Sequence, residues 1–399
     1  MKIVWLAPFA YTPKATVSAR MMPMATALAR RGHRVTILIP PYDNPSDSNR
    51  EWEQEGVHVR NMRLPHIRTE SYRLLSLAVQ LARCVHRLQP AVLHVFKPVG
   101  PGALAMWLLR NTAPRAPIVV DNDDWEGAGG WLDINPYPPL YKQVMAWQER
   151  WCLRHADAVT CASETLQART RLLAGARVRT TVLPNGPARS LRNVVAQAEA
   201  RRAELRAALG WREARVLIYA GTVPRNHDLD IAVRAIQANL PTCPTLRWVI
   251  VATGDGLPTL RATIEQAGLS PWVEYHGFVP YDRLIEMLIA ADIALYPYRD
   301  TPINRAKCSG KVIDYMACAK PMVVSDVGMN RVYLQDGVSG LLTAPGDTDK
   351  FAQALARLLR DESWAVELGR AAQKRLWDMF DWDKRIEELE TLYQVVLGG

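Results

Sequence analysis

The run Ser309-Gly310-Lys311-Val312-Ile313-Asp314 holds the residue types that a phosphate site needs. Ser309 is a good helix N-cap and Gly310 permits close backbone approach, so the amides of Gly310, Lys311 and Val312 would project from a helix N-terminus. Unpaired N–H donors and the positive end of the helix dipole both favour an anion. Lys311 adds a cation in the first turn. Asp314 follows on the same face one turn deeper, where the ribose of a nucleoside diphosphate would lie within its reach. The same spacing also describes a solvated Lys–Asp pair. A second concentration is acidic: in IVVDNDDWEGAGGW, residues 118 to 131, Asp121, Asp123, Asp124 and Glu126 close an apolar run. Carboxylates at the carboxyl edge of a parallel sheet line the ligand crevice and act there as hydrogen-bond acceptors or bases. A third feature is ATVSAR, in which Ser18 can cap a following helix and Arg20 would sit in its first turn, facing the crevice or else on the surface.

These residues need a scaffold that carries them at strand ends, and the sequence describes one. KIVWLAP reads as a buried parallel strand, followed by a loop, a helical run to ALARRGH and the strand VTILIP. Apolar runs recur as VLHVF, PIVVD, DAVTCA and TTVLP with helical patterns between them. From Arg215 the alternation begins afresh with VLIYAG, RWVIVATG, VEYHG and DIALYP. The expectation is two doubly wound α/β domains, 1–186 and 187–375, joined by the polar segment 187–214. Residues 376–399 read as an amphipathic helix that packs back on the first domain, the alternative being a cap on the second.

DYMACAKPMVVSDVG followed by LQDGVSGLLTAPGD resembles the donor-domain signature of the family 4 glycosyltransferases of the GT-B fold. RGHRVTIL, ADAVTCASETLQAR, LPNG, YAGTVPRNHDLD, GDGLPTLRATIEQAGL, VEYHGFVP and ADIALYP stand in the order of that family. The resemblance implies two Rossmann-like domains facing across a cleft, an acceptor site in the first, a nucleotide-sugar site in the second, and sugar transfer with retention of configuration. It implies a nucleoside diphosphate sugar as donor substrate, no separate cofactor and no metal. Gly221, Thr222 and His227, with Gly277, Phe278 and Val279, match the family's nucleotide-sugar loops. Asp123 stands at the family's His position and Asp124 at its Asp position.

The chain also departs from the pattern. The family's two glutamates, eight positions apart, correspond to Ala306 and Asp314, and its two diphosphate-clamping cations to Thr222 and His227. Arg225 and Lys311 can supply the charge instead, and a subgroup whose helix reads S-K-L-F-E-Y-M-A resembles this chain more closely. Phosphate or donor contact for Arg20 is implied by an S-x-R variant of the family. His227 is either a loop histidine or, beside a diphosphate, an added donor in its protonated form. The expected catalytic set is Asp123, Asp124, Arg225 and Lys311.

At 399 residues, 49% apolar and 22% charged, the chain can bury large cores, and neither disorder nor a coiled coil is its main architecture. Residues 1–186 hold 23 Lys/Arg against 14 Asp/Glu, whereas 187–399 hold 26 of each. The basic half points to an anionic partner, such as a lipid-linked or glycan acceptor or an anionic membrane surface. SYRLLSLAVQLARCVHRLQ and AMWLLR intersperse Leu74, Leu75, Leu77 and Trp107 with Arg73, Arg83, Arg87 and Arg110, a pattern that suits either a membrane surface or ordinary sheet packing. Nucleic acid is not indicated, because no helix-turn-helix, RNP or zinc-finger pattern is present. Cysteines 84, 152, 161, 243, 308 and 318 form no C-x-x-C pair, which fits a reducing compartment. The amino-terminal apolar run is broken by Pro8 and no run reaches membrane-span length, so the expected location is cytoplasmic, peripheral at the inner face of the membrane. Asp121-Asn122-Asp123 spells the D-x-D metal site of a different glycosyltransferase fold, a reading set aside because the surrounding βαβ pattern and the later motifs resemble GT-B, which implies no metal. Chelation should therefore leave turnover unchanged, whereas loss of activity restored by Mn²⁺ would make D-x-D the correct reading.

Overall fold

The structure, a computed structural model, describes residues 1–12, 14–112, 116–175 and 177–398. Pro13 of the loop after the first strand and Gly399 of the expected last helix lie outside the described residues. The chain divides into two compact units: Met1–Ala188 with Ala306–Cys308 and the residues from Trp382 onward, and Arg189–Arg305 with Ser309–Asp381.

The first unit contains β1 (Lys2–Leu6), β2 (Arg34–Ile39), β3 (Glu51–Gln54), β4 (Val57–Asn61), β5 (Val92–Phe96), β6 (Ile118–Asn122), β7 (Ala158–Cys161) and β8 (Arg179–Val182). Their order across the sheet is β3-β4-β2-β1-β5-β6-β7-β8, with only the β3–β4 pair antiparallel. Runs such as Ile3-Val4-Trp5-Leu6 are wholly buried, as strands covered on both faces must be. The hairpin β3–β4 has no counterpart among the expected strands, because Glu51 and Glu53 hide it. Its signal is the two-residue turn Glu55-Gly56, whose φ values of 48° and 76° are the left-handed pair that tight hairpins require.

The second unit contains β9 (Arg215–Thr222), β10 (Leu246–Thr253), β11 (Val273–His276), β12 (Ile293–Tyr296), β13 (Met322–Ser325) and β14 (Leu341–Thr343), all parallel in the order β11-β10-β9-β12-β13-β14. In each sheet the order reverses at one strand: β1 lies between β2 and β5, and β9 between β10 and β12. Connections leave these points toward opposite faces and open a crevice at the carboxyl ends of the strands.

Residues 187–214 are helical, as their composition favours, and they are not wholly solvated. They form helices Leu191–Ala200 and Arg202–Ala208, which bury Leu191, Val195, Ala198 and Leu205 and pack on helix Tyr281–Ala290. The polar look of this segment comes from arginines with structural partners: Arg202 and Arg206 reach Asp292 Oδ1 at 2.8 and 3.0 Å, and Arg206 also donates to the carbonyls of Ala290, Trp211 and Ala214. The expected helix from 376 is interrupted. Helix Glu362–Met379 ends in the second unit, where Phe380 packs against Tyr333, and a new helix, Trp382–Gly398, belongs to the first. There Trp382, Ile386, Leu389 and Tyr393 join the core, and the Tyr393 hydroxyl meets Trp5 Nε1 at 3.1 Å and His94 Nδ1 at 2.7 Å. Burial pushes His94 down to about 3, so this interior carries no charge on the imidazole.

Asp292→Ala should destabilise the second unit by about 3 kcal/mol, since it leaves Arg206 and the Val216 amide without their buried acceptor. Denaturant titration followed in that unit checks this, and a change below 1 kcal/mol would refute it.

Candidate active site

The second unit places its polar groups at the end of β9. Gly221 has φ of 128°, and a Cβ there would stand 1.9 Å from Lys311 Cε and 2.8 Å from Lys311 Nζ. The lysine stem therefore lies across the strand where the strand has no side chain. Its ammonium sits 5.8 and 5.7 Å from the rings of Tyr219 and Tyr296, the cation–π range. Ser309 caps helix Gly310–Ala317 by accepting from the Lys311 amide at 3.3 Å, and its Oγ accepts from the Tyr296 hydroxyl at 2.6 Å. Thus β12 holds the cap and β9 makes room for the cation.

Asp314 lies one turn deeper and accepts from the Tyr281 hydroxyl at 2.6 Å. Burial raises its carboxyl to about 7, against the lowering pull of Tyr281 and Lys311. Tyr281, absent from the residues singled out in sequence, opens the helix after Gly277-Phe278-Val279 and so ties that segment to Asp314. Those three residues stand past the end of edge strand β11, two strands from β9, with Phe278 76% exposed.

The loop after β9 is pinned by the Val223 amide on Thr253 O and the Gly256 amide on Val223 O. Thr222 and Arg225 are exposed within it, and Arg225 meets the equally exposed Asp255 at 3.6 Å, a pair of little energetic weight in water. His227 is tucked against Gly256, where a Cβ would come within 2.9 Å of its ring, and its Nδ1 accepts from the Leu229 amide. Burial lowers its pKa despite Asp230 and Asp228, so in the free protein the ring is neutral rather than an imidazolium.

In the first unit, two expectations are corrected. Ser18 does not cap the helix. It lies inside the π-helical turn Thr16–Met21 that runs into helix Met22–Arg30, and its hydroxyl turns back to Ala15 O. Arg20 does not face a ligand. It is 2% exposed, with Nε and Nη2 on the two oxygens of Asp121 at 2.8 and 2.7 Å, Nη1 on Asn185 and Nη2 also on Leu183 O. Four of its five N–H donors are engaged in this way, and it holds LPNG to the end of β6. Asp121 is consumed by this pair and by Thr160. Among the described residues no three His, Cys, Asp or Glu side chains cluster as a metal site.

What gathers Asp123 and Asp124 is Lys97, a residue that sequence reading missed although it directly follows the buried strand VLHVF. With its side chain 7% exposed, its Nζ lies 3.0 Å from Asp123, 3.9 Å from Asp124 and 2.5 Å from Glu126. One buried cation faces three carboxylates, and burial raises the pKa of Asp123 and of Asp124 while Lys97 opposes it. The cluster keeps acceptor capacity for hydroxyl groups and can hold a proton.

The Glycosyl transferase 4-like domain family matches residues 16–186, and the Glycosyl transferases group 1 family matches residues 214–361. Both units thus match glycosyltransferase domains, in the two-domain fold named GT-B. It is 26% identical over 271 residues to alpha-D-kanosaminyltransferase of Streptomyces kanamyceticus, covering 66% of each chain. It is 32% identical over 193 residues to D-inositol 3-phosphate glycosyltransferase of Acidothermus cellulolyticus, covering 46% of this chain and 41% of that one. These two matches thus span about two-thirds and less than half of the relatives' lengths. Anabaena HepE in complex with UDP-glucose superposes with a TM-score of 0.74 at 19% identity, over 99% of this chain and all of that one, which establishes the shared GT-B fold.

Arg20→Ala, which strands the buried Asp121 carboxylate, should cost about 3–5 kcal/mol of stability in the first unit without changing nucleoside diphosphate affinity. A stable variant with weakened affinity would restore a ligand role for Arg20. Asp314 gives a pH signature: its folded pKa of about 7 stands above the unfolded value of about 4. Stability from this group is therefore full below pH ~4 and is lost as pH rises through ~7. The stability of Asp314→Asn relative to wild type should thus climb between pH 4 and 8, and a flat difference in urea titrations would contradict this.

Proposed function

We propose that the protein transfers a sugar, with retention of configuration, from a nucleoside diphosphate sugar to a hydroxyl of a glycan, lipid-linked or other small acceptor. The observation that carries this reading is the Lys311 ammonium laid over Gly221 beside the Ser309-capped helix N-terminus. The names of the kanosaminyltransferase and the D-inositol 3-phosphate glycosyltransferase support sugar transfer, and the UDP-glucose in HepE supports a nucleotide-sugar donor. In this account the unit built on 187–375 binds the donor and the unit built on 1–186 binds the acceptor. The protein acts in the cytoplasm, peripherally at the inner face of the membrane.

As the bond between the anomeric carbon and the diphosphate oxygen breaks, negative charge grows on the leaving group. Lys311, Arg225 and the positive end of the helix dipole stabilise it. The acceptor oxygen bonds to the same face of the sugar and gives its proton to the departing phosphate. Asp314 accepts from the ribose hydroxyls, which requires its carboxylate form. Gly221 and Thr222 line the diphosphate, His227 can donate to it, and Gly277–Val279 flank the nucleotide. Asp123 and Asp124, held by Lys97, position the sugar or stabilise its developing positive charge.

Incubation with a panel of nucleotide sugars should release nucleoside diphosphate with at least one donor. Silence across the panel would instead leave a nucleotide-binding protein without transferase activity. Lys311→Ala should lower turnover about 100-fold or more, as loss of a charge-stabilising donor does, whereas near-normal kinetics would remove the helix-terminus mechanism. Asp123→Asn should cut transfer while nucleoside diphosphate affinity, read by calorimetry, stays within about twofold.

A further inference from the structure

Helix Pro139–His155 of the first unit packs with its polarity reversed. Its inward side buries Gln148 and Glu149 together with Cys152 and Leu153. Gln148 accepts from the Gly100 amide at 2.9 Å, and Glu149 pairs with Arg169 at 2.7 Å. The opposite side carries Leu140, Val144, Trp147 and Trp151, spaced i, i+4, i+7 and i+11, which is one straight stripe on an α-helix. Leu140 is 72% exposed, Val144 42% and Trp147 45%, and the rings of Trp147 and Trp151 lie 6.3 Å apart. A core-facing helix would bury such a stripe; this one shows it to solvent.

Charge decides what would cover it. Glu149, the one acid of this helix, is buried and paired, so Arg150 and Arg154 are the exposed charges beside the stripe, with no exposed carboxylate between Pro139 and His155. Tyr72 and Leu75, 65% and 47% exposed on helix Glu70–Leu88, are further exposed apolar side chains of the same unit. The helices singled out in sequence take a smaller part. Leu77 is fully buried and Arg110 is engaged by Asp157, while Arg83 and Arg87 remain exposed.

We infer that the exposed Leu140-Val144-Trp147 stripe of helix Pro139–His155, with the half-buried Trp151 at its end, is an interfacial anchor that seats the first unit on an anionic lipid bilayer. Leu140, Val144 and Trp147 enter the boundary between headgroups and acyl chains, and Arg150 and Arg154 meet lipid phosphates. No helix among the described residues is long and apolar enough to cross a membrane, so the contact is with the surface. This deepens the reading of a lipid-linked acceptor, and its test does not depend on turnover.

The full chain should co-sediment with vesicles of phosphatidylglycerol and phosphatidylcholine, bind vesicles of phosphatidylcholine alone far less, and be released by 1 M salt, where screening acts within about 3 Å. Leu140→Ser with Trp147→Ser should weaken vesicle binding by about tenfold or more, with circular dichroism and nucleoside diphosphate affinity unchanged. Trp147→Phe should remove part of the tryptophan quenching caused by brominated lipid. Equal binding by wild type and the double variant, or no vesicle binding by either, would overturn the assignment. So would a concentration-dependent dimer that the double variant abolishes, since a second copy would then cover the stripe.

Discussion

A lysine stem can cross a β-strand only where the strand carries no side chain, and the donor half of this protein is organised around that constraint. Gly221 is the penultimate residue of the strand at which the second sheet reverses its order, and Lys311 occupies the space its missing Cβ leaves. Ser309 starts the helix bearing Lys311, and Tyr296 fixes Ser309 from the neighbouring strand. Cation, helix terminus and open strand end thus share one location. Their value to a leaving diphosphate comes from being placed in advance, so little reorganisation is needed as charge develops.

Buried charge is used in two different ways in the first unit. Arg20 and Asp121 form a buried pair in which four of the five guanidinium N–H donors and the carboxylate are engaged, an arrangement that serves to fix geometry. Lys97 stands among Asp123, Asp124 and Glu126, an excess of acid over base held out of bulk water. Such an excess is costly unless it is protonated or met by hydroxyl donors, which makes the second cluster, and not the first, suited to a polar substrate.

The strands that carry these groups were legible because both faces of each are apolar, and so were the Ser309 cap, Lys311 and Asp314, because capping and helix spacing are local. What escaped depended on partners far along the chain. Arg20 reads as a ligand arginine until Asp121 is seen 101 residues away. Residues 187–214 read as polar because their arginines serve Asp292. Tyr281 matters only through Asp314, and β3–β4 was masked by edge charges. Lys97 had a local signal, a cation at the tip of a wholly apolar strand, that deserved the weight given to the acidic run. The stripe on helix Pro139–His155 was likewise visible as spacing, but only burial reveals that it faces outward.

The dependence of Lys311 on Gly221 is tested most directly by a double-mutant cycle on nucleoside diphosphate release, with Gly221→Ala, Lys311→Ala and the pair assayed on protein of verified fold. If the glycine acts by making room for the ammonium, Gly221→Ala alone should lose nearly as much turnover as Lys311→Ala, and the pair should lose little more than either. Losses that simply add, or a Gly221→Ala enzyme with near-normal turnover, would show that the lysine does not work from where the strand leaves it space.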